Sequence, residues 1–250
     1  MRIQPPTYED VPTASGAMRV HVFRPVAEPG GPTRHAGVVL YSEIYQMTAP
    51  IARTAATIAG KGFVVAVPEV YHEYETAGTV LAYDTAGTAR GNELKVTKPL
   101  AHYDHDSRAV LDWLSNDAGC TGKLGTVGIC LGGHLAFRAA MDTRIQCGVC
   151  LYATDIHQRS LGAGKNDDTL DRMPDIQGEM LMVWGRQDPH IPAAGRRIIY
   201  EAMNAANIRF TWHEFNGEHA FVRDEGHRFD PALAQLVHAM IDELLVRRLR

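Results

Sequence analysis

The sequence predicts an α/β fold in which a mostly parallel sheet is flanked by helices. Its 250 residues are enough for one hydrophobic core of this class. Short runs of β-branched residues alternate with longer amphipathic runs, as strands alternate with covering helices. Apolar residues make up 45% and charged residues 22%, which is typical of globular proteins. We therefore expect a single domain over residues 1–250, without a large cap domain.

Seven strands and five helices follow from this alternation. The strands are the apolar, β-branched runs at 17–23, 36–42, 63–69, 123–129, 145–153, 179–185 and 210–215. The clearest helices are the amphipathic runs at 50–62, 106–117, 131–142, 193–208 and 231–249. The last helix ends in an Arg-rich turn, which the helix dipole favours.

Two segments, 72–103 and 154–175, break the alternation. Both are rich in Gly, Thr, Asp and Lys. Irregular connections of this length within a compact domain are usually functional loops. We expect them to form the walls of a site.

Charge and hydropathy limit the partners of the protein. A net charge of −4 gives no bulk attraction to nucleic acid or to an anionic membrane. The start, MRIQPPTYEDVP, lacks the apolar run of a signal peptide, and no stretch approaches the roughly 20 apolar residues that span a bilayer. Four cysteines in a chain of this length do not indicate a disulfide framework. We expect a cytoplasmic protein, a monomer or a small homo-oligomer, that acts on a small molecule.

Two sequence patterns raise the question of a metal or redox site. Cys147 and Cys150 form a C-x-x-C, but their apolar surroundings predict a buried strand, in which residues i and i+3 face opposite sides. His102 and His105 stand beside two aspartates and could bind a metal or form the acid-capped first turn of a helix. We expect neither a metal nor a cofactor.

Cys130 lies between the predicted strand 123–129 and the predicted helix 131–142, in the glycine-rich stretch GICLGG. Such glycines permit the tight turn of a nucleophile elbow, Gly-x-Ser-x-Gly, here with cysteine in place of serine. The helix N-terminus would stabilise a thiolate, and the amide of Leu131 could bind an oxyanion. Alternatively, Cys130 is a small apolar residue in a close strand–helix contact.

Two further residues occupy the positions that a catalytic triad requires. Asp188 follows the strand 179–185, and His219 follows the strand 210–215. The order of nucleophile, acid and histidine is that of α/β-hydrolases. Taken singly, Asp188 could cap a turn before Pro189 and His219 could be a surface histidine. Together with Cys130 they predict a Cys-His-Asp triad.

The chain resembles the dienelactone hydrolase family over nearly its whole length. The resemblance is carried by the stretches LYSEIYQ, GICLGGHLAF, WGRQDPHIP and GEHAFVRD. It implies an α/β-hydrolase fold, with Cys130 as nucleophile, Asp188 as orienting acid and His219 as base. It also implies an additional glutamate, Glu43, that keeps Cys130 a neutral thiol until an anionic substrate enters.

The family resemblance also implies a substrate. The family hydrolyses an enol lactone such as dienelactone to a keto acid like maleylacetate, through an acyl-enzyme. The amides of Leu131 and Ile44 would hold the oxyanion. The substrate carboxylate would bind Arg223, four residues beyond the histidine, and Arg90, with Lys95 or Lys98 as alternatives to Arg90.

Some positions depart from the family pattern and leave other functions open. Tyr45 and Gln46 follow the glutamate where the family usually has an aromatic residue and a glycine. Residues 68–71 are Pro-Glu-Val-Tyr, where the family often has Pro-Asp-Leu-Tyr. A neutral-substrate carboxylesterase or thioesterase on the same scaffold is the first alternative. A non-catalytic redox sensor, in which Cys130 reports oxidation, is the second.

Overall fold

The computed structural model describes all residues, 1–250, and its centre is an eight-stranded sheet. The strands are β1 (Thr7–Thr13), β2 (Gly16–Phe23), β3 (His35–Tyr41), β4 (Phe63–Pro68), β5 (Cys120–Ile129), β6 (Ile145–Leu151), β7 (Glu179–Gly185) and β8 (Phe210–Phe215). The helices are α1 (Ala49–Gly60), α2 (Thr85–Thr97), α3 (Leu100–Asn116), α4 (Leu131–Ala139), α5 (Ala193–Ala205) and α6 (Pro231–Leu249). The predicted fold class is confirmed.

The sheet places the carboxyl ends of six parallel strands, β3 to β8, along one edge. Its order is β1-β2-β4-β3-β5-β6-β7-β8, with β1 and β2 antiparallel to their neighbours and every pair from β4 to β8 parallel. The central strands β3 to β7 are buried almost throughout, as parallel strands are when helices cover both faces. The loops that carry the predicted site residues therefore meet at one edge of the sheet.

Two elements were not predicted. Strand β1 has the polar sequence TYEDVPT, in which only Val11 is buried, so it shows no apolar run. Helix α2 lies within the segment predicted to be a loop, 72–103, and that prediction is wrong for residues 85–97 and for residues 100–103, which belong to α3. By contrast, residues 154–175 hold only two short 3-10 turns, Ile156–Gln158 and Met173–Asp175, as expected of an irregular connection.

Close packing and a capping residue explain why α2 forms. The side chain of Asp84 accepts a hydrogen bond from the amide of Gly87 (2.7 Å) and caps the first turn. A Cβ atom on Gly87 would lie 2.1 Å from the Ala82 carbonyl oxygen, and one on Gly91 would lie 2.7 Å from that of Ile44. The two glycines thus let the helix pack closely against neighbouring backbone. Its stability comes from this packing rather than from an apolar stripe.

The C-x-x-C pair is structural. Cys147 and Cys150 are both buried in β6 as free thiols. Burial raises the pKa of the Cys147 thiol to about 12 and raises that of Cys150 as well. Thiols of this kind favour neither metal binding nor exchange chemistry, which agrees with the expectation from the strand pattern.

No helix of the protein has the length and apolar character of a membrane span.

Replacing Gly128 with alanine is expected to destabilise the fold by about 3 kcal/mol or more. A Cβ atom there would lie 1.8 Å from the carbonyl oxygen of Gly132, so the backbone of β5 or of α4 would have to move. Urea unfolding of the wild type and the variant measures the effect. Gly60→Ala is the matched control, because its nearest atom would be 3.6 Å away, and its unfolding midpoint is expected to stay at or above the wild-type value. Equal midpoints for Gly128→Ala and wild type would contradict the close packing.

Candidate active site

Cys130 occupies a strained turn between β5 and α4. Its backbone has φ 61° and ψ −120°, a conformation that non-glycine residues rarely adopt. The close approach of the surrounding chain imposes it, since a Cβ on Gly132 would lie 2.1 Å from the carbonyl oxygen of Tyr41. Hydrogen bonds from the Cys130 amide to Leu151 (3.0 Å) and from the Gly133 amide to the Cys130 carbonyl (2.9 Å) hold the turn. The side chain stays partly exposed, as a nucleophile must, rather than filling the core.

Asp188 and His219 meet beside this cysteine. His219 Nδ1 donates to Asp188 Oδ2 (2.6 Å), and both side chains are buried. The amide of His190 donates to Asp188 Oδ1 (2.8 Å), so the aspartate also caps its own turn. The rings of Tyr152 and His190 lie against His219, with centroids 5.1 and 4.7 Å away. Cys130 and His219 line the same cavity.

The charges around His219 favour its protonated form. Burial lowers the pKa of the imidazole, but the charge of Cys130 and the hydrogen bond to Asp188 outweigh burial and raise the pKa of His219 to about 10. A protonated histidine beside a sulfur anion is the resting form of many cysteine nucleophiles. The arrangement therefore lets His219 stabilise a sulfur anion at Cys130.

Two amides are available for an oxyanion. Ile44 follows β3, lies outside any helix or strand, and its amide donates to no other group of the protein. Leu131 is the first residue of α4, where amides have no acceptor within the helix. Ile44, in the connection after β3, and Leu131, at the start of α4, both follow strands that end at the same edge of the sheet as Cys130.

Glu43 is buried next to the cavity, but its partners differ from those that the resemblance implies. Tyr83 donates its hydroxyl to Glu43 Oε2 (2.9 Å), and Arg223 donates to Oε1 (3.4 Å). Burial raises the pKa of the Glu43 carboxyl, although Arg223 and Tyr83 offset part of this effect. No hydrogen bond joins Glu43 to Cys130, so this structure does not show the predicted contact that holds the thiol neutral.

Tyr83 is a site residue that the sequence did not reveal. Its hydroxyl also lies 2.7 Å from that of Thr48, and the Arg223 guanidinium stacks over its ring at 4.2 Å. The ring of Tyr45 meets it edge-on at 4.6 Å. Because Tyr83 stands in the 72–103 segment, where no motif marks it, only the fold brings it to Glu43.

The predicted carboxylate-binding cations fall in different places. Arg223 lines the cavity. Arg90 does not line it and pairs with Glu75 (2.7 Å) and Glu93 (3.0 Å), so its prediction as a substrate ligand is not supported by its position. Lys95 lines the cavity and pairs with Asp155, at 3.0 Å.

Lys98 also lies outside the cavity. It is fully buried, and its Nζ lies 2.6 Å from Glu73, 2.5 Å from Asp106 and 2.9 Å from the carbonyl oxygen of Val70. With His72, which contacts Asp106 at 3.0 Å, these carboxylates resemble a metal-binding cluster. The ammonium already occupies the position between them, so the cluster is a buried ion-pair network and Lys98 cannot reach the substrate.

The histidines considered as metal ligands belong to the surroundings of this network. His102 lies in the first turn of α3 and hydrogen-bonds through Nδ1 to Glu73 Oε2 (2.7 Å). His105 is exposed on the same helix. The two do not converge on one point. The acid-capped turn is not found either, because α3 begins after Pro99 without a side-chain cap and has no acidic residue in its first turn.

The cavity above Cys130 has a volume of about 770 Å³, and its wall exposes polar and apolar atoms to a similar extent. Only four of its nineteen lining residues are hydrophobic. Apart from its histidines, the cavity has three acidic and three basic residues: Glu43, Asp155, Glu225, Lys95, Arg223 and Arg228. Arg228 was not predicted, and its pairing with Glu218 is loose, at 3.7 Å.

Comparison with known proteins identifies the family. The model of the dienelactone hydrolase family matches residues 23–247. A Saccharomyces cerevisiae protein named "Putative carboxymethylenebutenolidase" is 40% identical, over 98% of this chain and 92% of that protein. A carboxymethylenebutenolidase of Pseudomonas sp. (strain P51) is 25% identical, over 86% of this chain and 87% of its own. The crystal structure named "Putative Dienelactone Hydrolase from Klebsiella pneumoniae" shares the fold, with a TM-score of 0.83, 19% identity and 98% of both chains covered. The chain therefore belongs to the dienelactone hydrolase family and is a hydrolase.

Proposed function

We propose that the protein hydrolyses an enol lactone or ester bond in a small molecule that carries a carboxylate, as in the conversion of dienelactone to maleylacetate. The observation that carries the proposal is the hydrogen-bonded pair of His219 and Asp188 in one cavity with Cys130 and Arg223. The names of the similar carboxymethylenebutenolidases support the same reaction.

Acylation begins with the sulfur of Cys130. The thiolate attacks the carbonyl carbon, and the carbonyl electron pair moves onto oxygen, where the amides of Leu131 and Ile44 donate to it. Collapse of this intermediate forms a thioester and breaks the bond to the enol oxygen. Protonated His219 supplies a proton to the departing oxygen. The enol then becomes the ketone.

Deacylation regenerates the thiolate and protonated His219. His219, now neutral, accepts a proton from water, and the resulting hydroxide attacks the thioester carbonyl. The bond to sulfur breaks, and the carboxylic acid leaves. Asp188 keeps Nδ1 protonated throughout, so Nε2 is the nitrogen that exchanges protons.

The pair formed by Arg223 and Glu43 supports selection of an anionic substrate. An arriving carboxylate competes with Glu43 for the guanidinium of Arg223. Because burial raises the pKa of Glu43, this side chain can take up a proton when it loses its cationic partner. Protonation of Glu43 removes one negative charge from the cavity when the substrate brings in another.

Replacing Arg223 with alanine is expected to lower kcat/KM for dienelactone by roughly 30-fold, because a charged hydrogen bond contributes about 2 kcal/mol. The value for a neutral aryl acetate is expected to change less than threefold. Steady-state kinetics of both substrates measure the two effects. Arg209→Ala is the matched control, since Arg209 precedes β8 at the opposite edge of the sheet.

The same assay tests the neutral-substrate alternative. The equal numbers of acidic and basic residues in the cavity favour a carboxylesterase or thioesterase that does not select anions. That alternative predicts that the aryl acetate is the better substrate and that Arg223→Ala leaves the ratio of the two kcat/KM values unchanged. Such a result would contradict the anionic-lactone proposal while leaving the triad in place.

A further inference from the structure

We propose that the face of α2 that lines the cavity, together with Gln158, binds a neutral, hydroxyl-bearing group of the substrate. This polar subsite includes Gln158, which follows β6, and Asn92 on α2. The proposal rests on the proposed function for the reaction itself and adds a second recognition element. It implies that the preferred substrates are polyhydroxylated esters or lactones that are larger than a simple butenolide.

Helix α2 crosses the cavity from one side to the other. Near its start, Thr88 lies 2.8 Å from the hydroxyl of Tyr45, which follows β3. Near its end, Lys95 contacts Asp155, which follows β6. Residues 88, 92 and 95 have the i, i+4, i+7 spacing of one helical face, and all three line the cavity. Since β5 lies between β3 and β6, the helix passes over Cys130.

This wall carries two side-chain amides that are able both to donate and to accept hydrogen bonds. The side chains of Asn92 and Gln158 line the cavity, are exposed, and have no hydrogen-bond partner within the protein. Thr88, by contrast, already donates to the carbonyl oxygen of Asp84 (2.6 Å). An amide offers a donor and an acceptor side by side, which matches a hydroxyl group, itself a donor and an acceptor.

A second carboxylate fits this wall poorly. The carboxylate of Asp155 accepts from Lys95 (3.0 and 3.1 Å), from the hydroxyl of Thr154 (2.5 Å) and from that of Ser160 (3.0 Å). The ammonium of Lys95 is therefore neutralised within the protein. An anion beside it would meet the negative charge of Asp155, whereas a hydroxyl would meet neither a repelling charge nor an apolar surface.

The size of the cavity agrees with a second group. Its volume of about 770 Å³ lies in the upper part of the range of roughly 300–1,000 Å³ that holds drug-sized ligands. Fifteen of its nineteen lining residues are not hydrophobic, so hydrogen-bonding groups are available along the additional space. The wall thus combines room for a larger ligand with unused polar groups.

Matched neutral esters test the subsite without involving Arg223. One pair varies the alcohol, 2,3-dihydroxypropyl acetate against butyl acetate, and the other varies the acid, methyl 2,3-dihydroxypropanoate against methyl butanoate. The ratio of kcat/KM within each pair is measured for the wild type and for Asn92→Leu and Gln158→Leu. Glu93→Leu is the control, because Glu93 neighbours Asn92 on α2 but does not line the cavity.

In at least one pair, the leucine variants at 92 and 158 are expected to lower the hydroxylated-to-apolar ratio by roughly tenfold, and the control is expected to leave it unchanged. If neither pair changes its ratio in Asn92→Leu and Gln158→Leu, the subsite does not exist. A shift of equal size in Glu93→Leu would also overturn it, since the effect would then come from the helix as a whole. The anionic preference is measured separately with dienelactone, so either proposal can fail alone.

Discussion

Replacing Cys130 with alanine is expected to lower kcat/KM for dienelactone by about 10⁴-fold or more, because the acyl-enzyme cannot form without the sulfur. The substitution leaves the backbone turn in place, since alanine and cysteine both carry a Cβ and the strain at φ 61° is the same for both. We therefore expect an unchanged urea midpoint together with the loss of activity. Steady-state kinetics and unfolding on the same preparation measure both.

The other cysteines provide the control for this variant. Cys150 is fully buried in β6, and Cys150→Ala is expected to retain activity within about threefold, at a stability cost of about 1 kcal/mol. Brief treatment with iodoacetamide should label the wild type once, at Cys130, as detected by mass spectrometry. Activity of Cys130→Ala within tenfold of the wild type would rule out the sulfur as nucleophile and revive the interpretation of Cys130 as a packing residue.

The parts of the site that the sequence predicted depend on local chain geometry. The glycines around Cys130 indicate a tight turn because side chains there would collide with neighbouring backbone, and the structure shows this collision distance for Gly132. Asp188 and His219 could be placed because both follow recognisable strands, β7 and β8, and parallel strands end at one edge of the sheet. In each case a few adjacent residues carry the information.

The parts that the sequence did not reveal depend on contacts between distant residues. Helix α2 has no apolar stripe, so periodicity could not predict it, and its glycines indicated a loop. The cations of this region could not be told apart either, because their partners lie elsewhere in the chain. Lys98 meets Glu73 and Asp106, whereas Lys95 meets Asp155, which is 60 residues away. Charge alone could not decide which cation reaches the cavity.

Replacing Asp188 with asparagine is expected to lower kcat/KM by about 10⁴-fold, the effect of the same change in other triads. Asparagine has nearly the same shape, so the contact with His219 Nδ1 can persist, but its amide can stabilise the wrong tautomer of the imidazole. The negative charge that stabilises the imidazolium is also lost. Activity is measured across pH rather than at one value, because the charge change acts on a proton equilibrium.

The pH profile follows from the pKa of His219. Burial lowers this pKa, while the charge of Cys130 and the hydrogen bond to Asp188 raise it to about 10. In the wild type the imidazolium therefore persists up to about pH 10, and kcat/KM is expected to fall above that pH. The pKa of His219 in the folded state lies above the unfolded value of about 6.5. Protonated His219 therefore stabilises the fold fully below pH 6.5, and this contribution is lost as pH rises towards 10.

In Asp188→Asn the alkaline fall in activity is expected to begin at lower pH, since one of the groups that raise the pKa of His219 is removed. Asp171→Asn is the matched control, because Asp171 pairs only with the exposed Arg159 and should leave the profile unchanged. A wild-type profile that falls already near pH 7 would contradict a stable imidazolium. An unshifted alkaline limb in Asp188→Asn would show that Asp188 orients the imidazole but does not stabilise its charge.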